Sequence, residues 1–263
     1  MARFCTLCSG SSGNSTYVGT GRSGLLVDAG ISCKGMLAAL ESVGIEPSQV
    51  QGILITHEHI DHIRGLRVLL KKLKVPVYAS PEVLAFLEQC GHLQPDTRTE
   101  ELGEAPKEIG GMEVRAFRTS HDSVHSQGYR FVFPDERRAA VATDLGIVTG
   151  EVDAALAGCD LVLMESNYDR NMLLAGPYPY SLKRRIQGAE GHLSNEECAG
   201  QLARLVQSGT ARFVLGHLSA ENNHPSVARQ AALEALTGCG CREGVDFTLT
   251  VAPRYRAGEM TIF

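Results

Sequence analysis

Residues 57–62 read His57-Glu58-His59-Ile60-Asp61-His62, and they directly follow the apolar run of residues 52–56, Gly-Ile-Leu-Ile-Thr. The apolar run predicts a buried strand, so the polar segment lies where that strand ends. On an extended segment, histidines two positions apart can turn both imidazoles toward one ion. Asp61 and His62 open the next predicted helix, whose first turn can direct them to a second ion. We therefore predict a metal site at residues 57–62.

Three further polar residues occupy similar places along the chain. His121, Asp144 and His217 each follow a short run that predicts a strand. Each of them alone is more typical of a structural polar residue. Together with residues 57–62, they supply enough imidazole and carboxylate groups to surround two divalent ions.

Composition limits the remaining possibilities. The chain has 263 residues, 43% of them hydrophobic, so it can bury a full core, and we predict one domain over residues 1–263. No apolar run is long enough to span a bilayer and the start lacks a secretory signal, so we predict a cytoplasmic protein with no membrane partner. Eight irregularly spaced cysteines predict reduced thiols. The formal net charge of -5 excludes a globally basic nucleic-acid-binding coat. The oligomeric state is left open.

Short β-rich runs alternate with amphipathic stretches, which predicts an α/β fold. The predicted strands are Arg3 to Leu7, Gly24 to Val27, Gly52 to Thr56, Val75 to Ala79, Met112 to Phe117, Tyr129 to Phe133, Ala139 to Thr143, Leu161 to Met164, Arg212 to Leu215 and Phe247 to Val251. Ser194 and Glu197 predict a capping box at the start of a helix. Residues 167–191 lack periodicity and contain Gly176-Pro177 and Pro179, so we predict a long surface loop there.

The ordered set of HxHxDH, His, Asp and His resembles the metallo-β-lactamase superfamily across essentially the whole chain. The resemblance implies a four-layer αββα sandwich of the α/β class and two divalent ions per chain, zinc or manganese, with iron also compatible. It also implies that Asp28 lies behind the metal loop and orients the ligands. The implied ligands are His57, His59 and His121 for one metal and Asp61, His62 and His217 for the other, with Asp144 bridging the two.

Two further segments are similar to those of ribonuclease Z-like phosphodiesterases. Residues 164–167 contain Glu165 and residues 191–195 contain His192, and the resemblance implies that His192 is a general acid supported by Glu165. An imidazolium held by a carboxylate can protonate a departing alkoxide, which phosphodiester cleavage demands. The nucleophile is expected to be a hydroxide bridging the two metals, and Asp61 is expected among the catalytic residues. A structural helix cap is the alternative role for His192.

Three stretches resemble the YycJ/WalJ-type subgroup more closely: residues 9–15, residues 182–186 with the following residues 191–195, and residues 217–225. That resemblance implies a DNA exonuclease that enters at a 5′ end, with nucleic acid as its partner. Local cations could hold the phosphates that flank the scissile one. The candidate substrate-binding residues are Ser12, Asn14, Lys183, Arg184, Arg185, Asn222, Asn223 and His224.

Two other functions are compatible with the same metal ligands. A small-molecule metallohydrolase, either a cyclic phosphodiesterase or a thioesterase, would share them. For the thioesterase we would expect an appended helical substrate domain, whereas the C-terminal residues read as strands. A non-catalytic metal-dependent sensor would lack a ligand or the general acid, and the sequence retains both.

Overall fold

The computed structural model describes all 263 residues. The chain divides into two compact units. Unit 1 comprises Met1–Ala116, Ser123–Arg137 and Pro253–Phe263, and unit 2 comprises Phe117–Asp122 and Arg138–Ala252. The assignment of residues 1–263 to one domain stays a prediction.

The chain contains both strands and helices, with helices between several of the strands, which confirms the predicted α/β class. The strands are β1 Arg3–Cys8, β2 Ser15–Gly19, β3 Gly24–Val27, β4 Val50–Leu54, β5 Val77–Ala79, β6 Thr99–Glu101, β7 Lys107–Ile109, β8 Met112–Arg118, β9 Gln127–Val132, β10 Arg138–Ala142, β11 Leu161–Glu165, β12 Arg212–Gly216, β13 Thr248–Val251 and β14 Thr261–Ile262. The helices are α1 Cys33–Ser42, α2 Ile60–Ile63, α3 Leu66–Leu73, α4 Pro81–Gln89, α5 Gly150–Leu156, α6 Arg170–Ala175, α7 Tyr180–Ile186, α8 Asn195–Gln207 and α9 Pro225–Gly238. No helix is long and apolar enough to cross a membrane.

Unit 1 is built on a sheet with the strand order β14-β1-β2-β3-β4-β5-β6. Strands β1, β2 and β3 are antiparallel neighbours, whereas β3 to β6 run parallel. All four residues of β3 are buried, because parallel strands are covered on both faces. Helices α1 and α3 pack their apolar residues against this sheet, with Met36, Leu40 and Leu69 fully buried in the core.

Unit 2 contains four parallel strands in the order β13-β12-β11-β10. In their register, Ala142 pairs with Met164, and Met164 pairs with Leu215. Parallel strands in register end at the same edge of a sheet, so the residues that follow them come close together. This alignment positions Asp144, Glu165 and His217, each at or just past the end of its strand.

Three of the predicted site residues have a left-handed backbone. Asp28, Asp144 and His217 have φ angles of 65°, 57° and 53°. This region is uncommon for residues other than glycine and carries a conformational cost. Each of the three follows the last residue of a strand within two positions.

The prediction of a long loop at residues 167–191 was wrong. Helix α6 begins at an N-cap, Asp169, whose side chain accepts a hydrogen bond from Met172 N at 2.8 Å. Gly176, Pro177 and Pro179 separate it from α7, so the segment contains two short helices with no long periodic run. The capping box of Ser194 and Glu197 at the start of α8 is confirmed. Strand β2 and the short strands β6 and β7 were not predicted.

Candidate metal centre

Residues 57–62 form a histidine cluster in unit 1. Strand β4 ends at Leu54, two residues before the predicted end at Thr56, and α2 begins after its N-cap His59. The ring centroids of His57 and His59 are 4.6 Å apart, and those of His57 and His62 are 4.1 Å apart. His57 and His62 are fully buried. The structure therefore brings together the three histidines that the motif predicts.

Asp28 lies directly behind this cluster, as the resemblance implies. Its Oδ2 is 2.7 Å from His62 Nδ1, and its Oδ1 accepts a hydrogen bond from Thr56 N at 2.9 Å. The Thr56 hydroxyl is 3.1 Å from Asp28 Oδ1 and 3.0 Å from His57 Nδ1. When the hydroxyl donates to the carboxylate, it accepts from the His57 ring. Asp28 thus orients His62 directly and His57 through Thr56, a residue that sequence reasoning missed.

Burial raises the pKa of Asp28, while the charge of His62 and the hydrogen bonds from His62 and Thr56 oppose that rise. The carboxylate is 2% exposed and is stabilised as an anion only by these donors. Loss of any one of them would leave a buried charge less well compensated.

The glycine-rich loop Ser9 to Ser15 packs against the same cluster. Asn14 N donates to Asp61 O at 2.8 Å, and Asn14 Nδ2 is 3.3 Å from Asp61 Oδ2 and 3.1 Å from His62 Nε2. Gly30 is required for this approach, because a Cβ there would overlap the Asp61 carbonyl oxygen. Ser12 contributes its carbonyl oxygen to Arg64 at 3.0 Å. Substrate contact by Ser12 and Asn14 stays a prediction.

A second cluster, in unit 2, is organised by the fully buried Glu165. Its Oε1 is 2.8 Å from His192 Nδ1 and 2.7 Å from His217 Nδ1. Its Oε2 accepts backbone N-H groups from Leu145 and Leu193, both at 3.1 Å. Burial alone would raise the pKa of Glu165, but the charges and hydrogen bonds of the two imidazoles outweigh it and hold the pKa at about 2.

An ionised carboxylate only accepts hydrogen bonds, so Nδ1 carries the proton in both rings. Nε2 is then the nitrogen with which His217 can bind a metal and His192 can deliver a proton. The His192 side chain is 21% exposed, whereas that of His217 is 2% exposed. One oxygen of Glu165 therefore orients a candidate ligand and a candidate acid at once.

His121 and Asp144 lie in the same cluster. His121 Nδ1 is 3.0 Å from the carbonyl oxygen of Gly191, which fixes the proton on that nitrogen. Its Nε2 is 3.7 Å from Asp144 Oδ1. The pKa of His121 is lowered, chiefly by burial. One potential ligand atom each from Asp144, Glu165, His192 and His217 lies within 4.8 Å of the others.

These residues fit divalent metal ions such as zinc. The donors are imidazole nitrogens and carboxylate oxygens, the set that zinc, manganese and iron accept. In His57, His62, His121 and His217, Nδ1 lies against a protein hydroxyl, carboxylate or carbonyl group, which leaves Nε2 as the nitrogen available to a metal. Metal-binding histidines are held in this way almost without exception. The eight cysteines are free thiols and belong to neither cluster.

Three substrate-binding candidates near residue 223 lie in or beside a buried amide network. Asn223 Nδ2 donates to Ser166 O at 2.9 Å and to Asn167 O at 3.0 Å, and its Oδ1 accepts from Asn195 at 3.0 Å. Asn222 is 1% exposed. His224 is the N-cap of α9. These contacts give Asn223 and His224 structural roles, and substrate contact by all three stays a prediction.

The three adjacent cations of α7 differ in their surroundings. Lys183 Nζ donates to the carbonyl oxygens of Leu174 and Gly176, both at 2.7 Å. Arg185 forms an ion pair with Asp122, which raises the pKa of Arg185. Arg184 is exposed and has no polar partner in the protein. Arg184 is therefore the cation of the three that is most available to a phosphate.

Comparison with known proteins agrees with this geometry. The family model described as a beta-lactamase superfamily domain matches residues 24–218. The chain is 38% identical over 248 residues to exodeoxyribonuclease YycJ of Bacillus anthracis, covering 94% of this chain and 93% of that protein. It is 36% identical over 249 residues to exodeoxyribonuclease WalJ of Streptococcus pneumoniae serotype 2, covering 93% and 92%.

Among solved structures, the metallo-beta-lactamase fold protein YhfI from Bacillus subtilis superposes with a TM-score of 0.71 at 16% identity, covering 98% of this chain and 99% of that one. This likeness confirms the predicted fold class, an α/β metallo-β-lactamase sandwich. The resemblance to the YycJ/WalJ-type subgroup, drawn from three short stretches, is also confirmed, over more than nine tenths of the chain.

Proposed function

The chain belongs to the beta-lactamase superfamily, and from that premise we propose that it is a binuclear metal-dependent phosphodiesterase, a DNA exonuclease that enters at a 5′ end. Two relatives that match more than nine tenths of the chain are named exodeoxyribonucleases. Their names supply the substrate class of the proposal, and the residues of the site supply its chemistry. The predicted cytoplasmic location remains part of the proposal.

The family assignment supports the proposal of two metals. The matched residues 24–218 include every predicted ligand. We assign one ion to His57, His59 and His121 and the other to Asp61, His62 and His217, with Asp144 serving both. The oriented Nδ1 atoms of four of these histidines support this assignment, because such hydrogen bonds are typical of metal ligands.

The observation that carries the phosphodiesterase assignment is the pair formed by His192 and Glu165. The 2.8 Å contact holds a partly exposed imidazole against a buried, ionised carboxylate. That contact fixes the ring through Nδ1 and leaves Nε2 as the nitrogen that can deliver a proton. Thioester cleavage expels a good leaving group and needs such a donor less, whereas an alkoxide must be protonated as it departs.

The divalent ions, when bound, lower the pKa of water and act as Lewis acids toward a phosphate oxygen. His192 donates the Nε2 proton to the departing oxygen, and Glu165 holds the ring in place for that donation through its contact with Nδ1. His217 is held by the same carboxylate oxygen, at 2.7 Å, so ligand and acid keep a fixed separation. Asp28 and Thr56 perform the corresponding positioning in unit 1.

Digestion of end-labelled substrates tests this function. Metal-loaded protein is incubated with 5′- and 3′-labelled single-stranded and double-stranded DNA, with RNA, with a thioester and with a cyclic nucleotide. We expect mononucleotides to be released from the 5′ end of DNA, and no release when a chelator has removed the metal from the protein. Hydrolysis of the thioester or the cyclic nucleotide, with intact DNA, would instead assign a small-molecule metallohydrolase.

A further inference from the structure

Helix α7 is attached directly to the loop that carries His192. His192 N donates to the carbonyl oxygen of Ile186, the last residue of the helix, at 2.9 Å. Arg185, in the last turn, pairs with Asp122, the neighbour of His121. A residue on α7 is therefore held at a fixed distance from the proposed general acid.

The start of α7 is fixed to α6. The Lys183 ammonium bridges the carbonyl oxygens of Leu174 and Gly176 at the end of α6, each at 2.7 Å. These carbonyl oxygens belong to the last helical turn and to the residue that follows it, and an ammonium is a favourable partner there. Lys183 thus serves to hold the two helices together, and their outward side chains form a defined surface.

That surface carries an exposed aromatic ring and an exposed cation. Tyr180 is 76% exposed and Leu174 is 61% exposed, although both are large side chains that proteins usually cover. Arg184 follows Tyr180 by one helical turn, so the two side chains lie on the same face of α7. We call Tyr180 and Arg184 the α7 face.

We propose that the α7 face binds single-stranded nucleic acid, with a base stacked on Tyr180 and a neighbouring phosphate bound by Arg184. This inference rests on the proposed nuclease function. Tyr180 lies six positions before Ile186, or about 9 Å along the helix, which corresponds to roughly two to three stacked nucleotides. We place the contacted base a few nucleotides from the bond that His192 serves.

The chemistry of the face favours an unpaired strand as its occupant. Every base has a π-face, so stacking tolerates any sequence, as an exonuclease that removes successive nucleotides requires. In a duplex the faces of the bases are already stacked on one another. The positive charge of Arg184 complements the phosphates.

Binding of a non-cleavable oligonucleotide tests the proposal. We would measure fluorescence anisotropy of a phosphorothioate-linked single strand with metal-loaded wild type and with Tyr180→Ala, Tyr180→Phe and Arg184→Gln variants. The Tyr180→Ala variant should raise Kd by about 5- to 150-fold, and Tyr180→Phe should restore tight binding because it keeps the ring. Arg184→Gln should reduce the slope of log K against log salt by about one. Arg22→Gln, at the exposed turn between β2 and β3, is the matched control and should leave the slope unchanged.

An abasic nucleotide identifies the stacked base. Placed two or three nucleotides from the 5′ end, it should weaken binding by wild type as much as the Tyr180→Ala change does, and it should have no further effect on that variant. Independent, additive losses would overturn the stacking assignment. Hydrolysis of bis(p-nitrophenyl) phosphate, metal content and melting temperature should be unchanged in Tyr180→Ala.

The failures of the two proposals are distinguishable. If the wild-type protein and the Tyr180→Ala variant bind and digest DNA equally well, this inference alone is overturned. Wild-type protein that neither binds nor digests any nucleic acid overturns the proposed function and this inference together. A Tyr180→Ala change that converts a dimer to a monomer without altering Kd would assign the α7 face to a second copy of the chain and overturn the inference.

Discussion

Removal of the His192 imidazole should slow cleavage most for substrates whose leaving group must be protonated, such as DNA. General acid catalysis typically contributes about 10² to 10⁴ in rate, so His192→Ala should reduce kcat on DNA by that factor. An activated ester such as bis(p-nitrophenyl) phosphate expels a leaving group that departs unprotonated. The kcat on that substrate should therefore fall far less. The His192 side chain is partly exposed and its ring is not among the assigned ligands, so both metals should stay bound.

Glu165→Gln should be more damaging than His192→Ala, because of the hydrogen bonds that the Glu165 carboxylate accepts. Both carboxylate oxygens accept hydrogen bonds, two on each, and an amide can present only one oxygen. Either orientation of the Gln amide therefore faces two N-H donors with an NH₂ group. At about 1 to 3 kcal/mol for each unsatisfied buried group, the variant should lose about 2 to 6 kcal/mol of unfolding free energy.

The same substitution disturbs His217, so metal affinity should fall by about 10- to 100-fold, as for other residues that orient ligands. Steady-state kinetics on both substrates, metal analysis and thermal melting measure these effects for the two variants. Equal rate losses on DNA and on the activated ester in His192→Ala, or loss of metal from that variant, would show that His192 is a ligand or a structural residue.

Asp144→Ala should abolish turnover and weaken both metals, and metal analysis that finds one ion bound normally would contradict a bridging role. Gly30→Ala should lower the free energy of unfolding by about 1 to 3 kcal/mol, because the added Cβ overpacks against the metal motif. Gly150→Ala is the control, since a Cβ there meets nothing within 4 Å, and chemical denaturation should show no such loss. Thr56→Val should lower metal affinity while leaving the secondary structure unchanged, because its hydroxyl connects Asp28 to a ligand ring; unchanged affinity in a metal titration would exclude that role.

Much of the site could be predicted because its residues follow strands that are recognisable from local composition. The runs before Asp28, Asp144 and His217 are apolar and β-branched, and parallel strands in register bring the ends of β10, β11 and β12 to one edge. The pairing of Glu165 with His192 came from similarity to known phosphodiesterases, since nothing local in the sequence connects residues 27 positions apart.

Other features depend on tertiary contacts that no local pattern records. Thr56 positions His57 only because its hydroxyl also contacts Asp28. Asn223 forms its hydrogen bonds with residues of two loops that are far away in the chain. The helices of residues 170–186 were missed because each is shorter than two full turns and prolines lie between them. Lys183 was predicted to bind phosphate, and only the structure shows its ammonium at the end of α6. Its contact with nucleic acid stays a prediction.

The left-handed residues at the strand ends have a consequence for laboratory evolution. Asp28, Asp144 and His217 each hold a backbone conformation that costs a non-glycine residue on the order of 1 kcal/mol. Glycine at any of these positions would relieve that cost while deleting the side chain on which the site depends. A selection for heat resistance alone, without a requirement for turnover, should therefore enrich glycine at these three positions early. Libraries of this fold retain their chemistry only when activity is selected together with stability.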